Sequence, residues 1–378
     1  MFKDNFTKGL TVGVLLTLFV TILSLWPYLK QIQKEKLIMS YVNDLYVNDY
    51  DKKDLKEVYS GIFDKLDDYS CYYTKDEFKE LMNSSDGNYC GIGIVTSYSD
   101  NLNHLVIRQV YENSPAEEKG LKKDDEILAI NGNSTENMKD VELATAEMKG
   151  EAGTEVTLTI VSHGEKKDVT LTRANVDYAS TKVQLLDDEV GYMRIYTFDE
   201  KASKEIRKNI DYFKKKGITK VIIDIRSNPG GVITSLVDSL EELVPKQLVL
   251  TTKTKDGKQE EYSMKKGTTP EFTYVLLINE NTASCAEIFA SVFKNGNYAT
   301  LIGTPTFGKG VAQSIIPLYD GSGIKITTEE WFDNNGININ GNGIAPDIRV
   351  HYRYLGDDEF EDDIMKDTQV LKAYESIR

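Results

Sequence analysis

"TYVLLINENTASCAEIFASVFKNG", residues 273–296, decides the fold. The opening TYVLLIN is an unbroken apolar run of strand length, the pattern of a strand covered on both faces. The closing SCAEIFASVFKNG carries apolar residues at helical spacing and ends on glycine. A polar turn, NENTA, joins them. Strands alternating with helices in this way build an α/β domain. The pattern recurs upstream. GYMRIYTF (191–198) precedes the amphipathic KASKEIRKNIDYFKKKG (201–217), and the apolar KVIIDIR (220–226) runs into the sharp turn SNPGG. An α/β core is therefore expected over residues 167–355.

The same stretch carries candidate chemistry. A helix starting at or near Ser284 places that hydroxyl at the positive end of the helix dipole, beside backbone N–H groups with no helical acceptor. Such groups can hold a developing oxyanion. Thr282 or Ser284 can equally be a plain helix cap. In IIDIRSNPGG (222–231), glycines let the backbone approach a ligand closely, at the strand end where α/β sheets bind ligands. GTPTFGKG (303–310) nearly spells a phosphate-binding loop, but Gly310 stands where that loop needs a hydroxyl. Lys309, between glycines and near Phe307 and Val311, suits a different role. Burial lowers a lysine pKa, and a neutral amine can take a proton from a serine. Gln313, four residues on, could orient it.

Outside the core, residues 31–86 show helical spacing, and 87–166 read as a compact, mostly β unit. There Ser114 is expected to cap a short helix that ends at Gly120. Residues 356–378 read as an acidic tail, with a short helix expected after the acidic stretch. Residues 9–29 hold no charge, long enough to cross a membrane, and no small-x-small cleavage site follows. Residues 1–30 are thus expected to be an uncleaved single-pass anchor, with a secretory signal as the alternative. The short head favours an extracytoplasmic bulk. A net charge of −15 argues against nucleic-acid binding. Three cysteines without C-x-x-C spacing, and three histidines outside any ligand motif, suggest neither a disulfide framework nor a zinc site.

TASCAEI (282–288) and PTFGKGVAQ (305–313) together resemble the paired signature of the C-terminal processing peptidases. In that family a serine nucleophile is followed 25 positions later by a lysine base and four further on by a glutamine; here these are Ser284, Lys309 and Gln313. GIFDKLDDYSCYYTKDEF (61–78), GYMRIYTF, IIDIRSNPGG and residues 321–348 are similar to further family segments.

The resemblance implies a membrane-anchored serine endopeptidase with a mixed α+β core of the crotonase/Clp-protease kind and an inserted PDZ domain at 87–166. The N–H of Cys285 and one from Gly230 or Gly231 would hold the oxyanion. The segment Tyr89, Cys90, Gly91, Ile92, Gly93 and Ile94 would receive the free, apolar C-terminus of a polypeptide substrate. Lys149 stands where some members read that terminus with arginine. No cofactor is implied, and the helical N-terminal segment makes a homodimer conceivable. Cys285 and Ala286 replace the family's usual alanine and serine. A membrane-tethered PDZ scaffold with an inactive core is the alternative from another functional class.

Overall fold

The computed structural model describes residues 14, 17, 19–21, 24–26, 28–29, 55–63, 65–84, 90–99, 101–136, 138, 140–176, 178–356 and 363–378. Residues 1–59 and 60–378 form two units. In the first, the described positions between 14 and 29 are helical. Most of the expected anchor lies outside the described residues, and among these no helix is long and apolar enough to cross a membrane.

The second unit begins with α1 (Leu55–Phe63), which spans the division, then β1 (Cys71–Tyr73) and α2 (Lys75–Ser84). The strand β1 interrupts the helical reading of 31–86. Next come β2 (Cys90–Gly91), β3 (Ile94–Ser99), β4 (His104–Val110), α3 (Pro115–Glu118), β5 (Glu126–Ile130) and β6 (Asn133–Ser134). They are followed by α4 (Val141–Met148), β7 (Glu155–Ser162), β8 (Glu165–Thr172) and β9 (Ala174–Asn175). The strands β3-β4-β5-β7-β8 form one antiparallel sheet, in that order, with β3 at its edge. Its core holds Leu105, Ile107, Ile127, Leu158 and Ile160. Ser114 caps α3 as expected, accepting from Glu117 N at 3.2 Å. The two ends of this unit meet in a short antiparallel ladder, Cys90 opposite Asn175 and Gly91 opposite Ala174.

The α/β half starts with β10 (Thr181–Leu185), β11 (Val190–Ile195), α5 (Ala202–Lys215), β12 (Lys220–Asp224) and α6 (Ile233–Leu240). After β13 (Leu248–Thr254) and β14 (Gln259–Ser263) come β15 (Thr273–Ile278), α7 (Cys285–Asn295) and β16 (Ala299–Gly303). The chain continues through β17 (Val311–Pro317), β18 (Gly323–Asp333), β19 (Ile348–Arg349) and α8 (Thr368–Ile377). One sheet runs β10-β11-β12-β15-β16-β19, parallel from β11 onward. The chain KVIID explains the layering. Val221 and Ile223 face α5, α6 and α7, whereas Ile222 faces the opposite layer. That opposite layer includes α8, through Val370, Ala373 and Ile377. The short helix expected after the acidic stretch is thus present, and its apolar residues cover one face of the sheet, a packing role the sequence reading does not assign.

A second sheet, β1-β18-β13-β14 with β17 on the other side of β18, packs Trp331 and Leu250 into the same core as α7.

Candidate active site

Three loops converge on Ser284. The first follows β12. Asn228 O accepts from Ala283 N at 3.0 Å, and a Cβ on Gly230 would lie 2.9 Å from both Ser284 Cβ and Cys285 N. Only glycine fits there. The second follows β15 and holds Ser284 itself at φ 59°, ψ −127°. A positive φ is strained for a side-chain-bearing residue and persists only where the surroundings impose it. The third follows β16, where Phe307 N donates to Thr282 O at 3.0 Å.

What imposes the geometry is Glu287, fully buried one turn into α7. Its carboxyl accepts from Ser284 N at 2.9 Å, Thr306 Oγ1 at 2.6 Å, Gly308 N at 2.6 Å and Lys309 N at 2.8 Å. One carboxylate thus ties the Ser284 turn to the Lys309 loop. All four partners donate, so the geometry fits the anion, although burial pushes its pKa above the ordinary glutamate value. Sequence reasoning missed this residue; its signal was glutamate three positions after a serine at a helix start.

Lys309 has its pKa pushed down by burial. Glu142 and Asp140 act against this and Lys325 with it. Its ammonium lies 4.8 Å from the centre of the Tyr69 ring. It makes no hydrogen bond to Ser284 Oγ. Gln313 lies in β17, but its Nε2 donates to Thr327 Oγ1 at 3.0 Å and not to Lys309. Cys285 opens α7, so its N–H has no helical acceptor. Its thiol, pushed up to about 12 by burial, donates to Gly231 O at 3.2 Å. The two glycines differ. Gly230 N already donates to Asn228 Oδ1 at 2.8 Å, whereas no hydrogen bond engages Gly231 N.

Below this site lies a second group that sequence reasoning missed. Asp224 and Arg226 face the same way from the end of β12, and Arg226 binds Asp224 at 2.6 Å and Asp367 at 2.6 Å. Burial would raise the Asp224 pKa, but Arg194 and Arg226 outweigh it and hold it well below the usual carboxylate range. Asp224 and Arg226, set among isoleucines at the end of the apolar run, were the available signal. Arg226 anchors the base of the turn that carries Gly230 and Gly231.

The other candidate residues sit apart from Ser284. Tyr89 lies outside the described residues. Cys90 and Gly91 are engaged in the β2–β9 ladder. The side chains of Ile92 and Ile94 are buried in the core of the β unit, so they do not line an open pocket as the sequence suggested. Gly93 has φ 84°, and a Cβ there would clash with Ser114 Cβ at 2.2 Å. Among the described residues the outer edge of β3 carries no neighbouring strand, and α4 packs beside it. Lys149, at the end of α4, borders a cavity of about 850 Å³ with Cys90, Glu77, Glu80, Glu147 and Arg173. Burial pushes the Lys149 pKa down.

The unit over the core is fixed near the site. Asp140 caps α4 and pairs with Lys325 of β18 at 2.7 Å; Glu142 adds a second contact at 3.2 Å. Tyr73 and Cys71 of β1 donate to the same Asp140 carboxylate.

Comparison with known proteins agrees with this layout. The family model described as peptidase family S41 matches residues 189–350, and the PDZ domain model matches residues 81–161. A carboxyl-terminal-processing protease of Synechocystis sp. is 32% identical over 302 residues, covering 77% of this chain and 70% of the relative. The carboxy-terminal processing protease CtpB of Bacillus subtilis is 31% identical over 330 residues, covering 85% and 68%. The solved photosystem II D1 C-terminal processing protease shares the fold, with a TM-score of 0.66 at 22% identity over 85% of this chain and 88% of that one. The strained serine at the mouth of α7, the α/β core and the inserted β unit thus have a common explanation: the chain belongs to the carboxyl-terminal processing proteases of peptidase family S41, serine-type peptidases that here carry a PDZ domain.

Proposed function

We propose that this protease cleaves polypeptides with a Ser284–Lys309 dyad after capturing their free C-termini on its PDZ domain. Neutral Lys309 accepts the Ser284 proton as Oγ bonds to the scissile carbonyl carbon. The carbonyl oxygen gains the electron pair and is held by the N–H of Cys285 and that of Gly231. Collapse breaks the C–N bond, and the Lys309 ammonium returns the proton to the leaving amine. Water then resolves the acyl-enzyme by the same steps. The observation that carries this reading is the Glu287 carboxylate, which holds the Ser284 turn and the Lys309 loop together. The substrate terminus would add as a strand beside the free edge of β3. Residues 9–29 would anchor the enzyme in the cell membrane, with its catalytic part outside the cytoplasm.

Ser284→Ala tests the chemistry. Turnover of an unfolded protein with an apolar C-terminus should fall by about 10⁴-fold or more, with an unchanged circular dichroism spectrum. Wild-type turnover in that variant would remove Ser284 from the mechanism, whereas a wild type that cleaves nothing would leave an inactive PDZ scaffold as the better reading. Protease treatment of intact cells tests the location: protection of residues 60–378 until lysis would refute the orientation.

A further inference from the structure

The segment LDDYSCYYT was singled out as family-like, yet nothing so far gives Tyr69 a task. Its placement is tightly determined. Tyr69 N donates to Asp67 Oδ1 at 3.1 Å, and the next residue, Ser70, accepts from Thr327 N at 3.0 Å. The chain then enters β1, paired to β18 with Cys71 opposite Lys325. On the other edge of β18 runs β17, with Gln313 opposite Thr327. Thr327 is therefore clasped from both sides, by Ser70 and by Gln313. This clasp holds the Tyr69 ring, half-buried, under the Lys309 ammonium.

We propose that Tyr69 is a positioning residue for the catalytic base: its ring face seats the Lys309 ammonium in the resting enzyme, away from Ser284, and once the ammonium has given its proton to solvent the neutral amine leaves that seat and takes up the serine proton. The proposal rests on Lys309 being the base. A cation gains from an aromatic face, most of all where water is scarce, and a neutral amine gains much less. The ring therefore favours the waiting, charged state and releases the neutral one. Other charges also face Lys309: Glu142 and Asp140 from the start of α4, Lys325 from β18, and the Cys285 thiol from α7. All remain in place in a Tyr69 variant, so a change on replacing the ring reports the ring.

The test is the pH dependence of kcat, with chemistry limiting, for the full-length protein and its Tyr69→Phe and Tyr69→Leu variants. Phe keeps the face and should keep the acidic limb where the wild type has it. Leu keeps much of the bulk but loses the face. The ammonium is then less favoured, and the limb should move to lower pH by up to about one unit. A limb unmoved in Tyr69→Leu, or moved equally in Tyr69→Phe, overturns the proposal. If Tyr69→Leu fails to fold, phenylalanines of increasing ring fluorination at position 69 preserve shape while weakening the face. The limb should then move stepwise, and a constant limb across that series overturns the idea. Lys309→Ala is run alongside. Activity in that variant would sink the dyad itself, whereas an inactive Lys309→Ala with an unmoved Tyr69→Leu limb would sink only the role of Tyr69.

Discussion

The Ser284 site and the β3 edge of the PDZ domain treat their polar groups in opposite ways. Around Ser284 nearly every backbone donor is committed. Glu287 takes four hydrogen bonds, Asn228 takes Gly230 N, and Thr282 O takes Phe307 N. Along β3 one row of backbone groups has no strand beside it among the described residues. Bond-making chemistry needs atoms fixed in advance, because misplacement by about 1 Å can cost 10²-fold in rate. Capturing a chain terminus needs groups left open for a strand to pair with. The difference teaches where rigidity is concentrated in this enzyme, and four measurements would break or sharpen it.

Glu287→Ala is expected to cost both stability and turnover. It strips the acceptor from four buried donors, so stability should fall by about 3 kcal/mol or more and turnover by at least about 10²-fold. Urea unfolding and single-turnover kinetics read both. Wild-type turnover would mean that the Ser284 strain is maintained without the carboxylate.

Amidating the substrate's C-terminus should act on the other region alone. Losing charge-assisted hydrogen bonds to a carboxylate costs about 1.5–3 kcal/mol, so KM should rise about ten- to a hundredfold with kcat unchanged. A fall in kcat instead would show that the two regions are not separable.

The acidic limb of the kcat profile should be set by Lys309. Burial lowers its pKa, so the active neutral amine dominates above that lowered pKa. Below it, turnover should fall about tenfold per pH unit. Lys309→Arg should be inactive, since arginine stays charged; a flat profile from mildly acidic to alkaline pH would contradict the assignment.

The smallest effect concerns the seam between the two regions. Asp140→Asn weakens the Lys325 pair, which retains Glu142 as partner, so a loss of about 1–2 kcal/mol is expected. Burial raises the Asp140 pKa, but Lys325 outweighs it and leaves it lowered. The pair's contribution should therefore persist at neutral pH and fade as pH falls through that lowered value. A thermal melt of wild type and variant across acidic pH should converge; a constant gap would refute the ion pair's part.

Much of the catalytic half was legible because its signals are local. The run TYVLLIN had to be covered on both faces, and serine at the following helix start is a matter of adjacent residues. Ser114 was legible for the same reason. What escaped depends on contacts distant in sequence. Glu287 matters because it reaches Gly308 and Lys309, and Arg226 because it reaches Asp367, 141 residues away. The short helix at the end of the tail was expected, but not that Val370, Ala373 and Ile377 on one of its faces cover the sheet, because that depends on strands far away in sequence. Ile92 and Ile94 misled in the other direction, since alternation on a strand shows which side chains share a face but not whether that face is core or groove.

The two-residue ladder of Cys90–Gly91 with Ala174–Asn175 has a practical meaning for anyone rebuilding this enzyme. Everything between those strands leaves and rejoins the protease through one doorway, whose sides stand about 5 Å apart, as paired strands do. The β unit is in effect a cartridge. A foreign peptide-binding module whose own ends lie that close could be spliced in at the ladder. The residues that would then need redesign include the Asp140–Lys325 seam, the Glu112–Lys182 pair and the stack of Tyr111 on Tyr178, not those around Ser284.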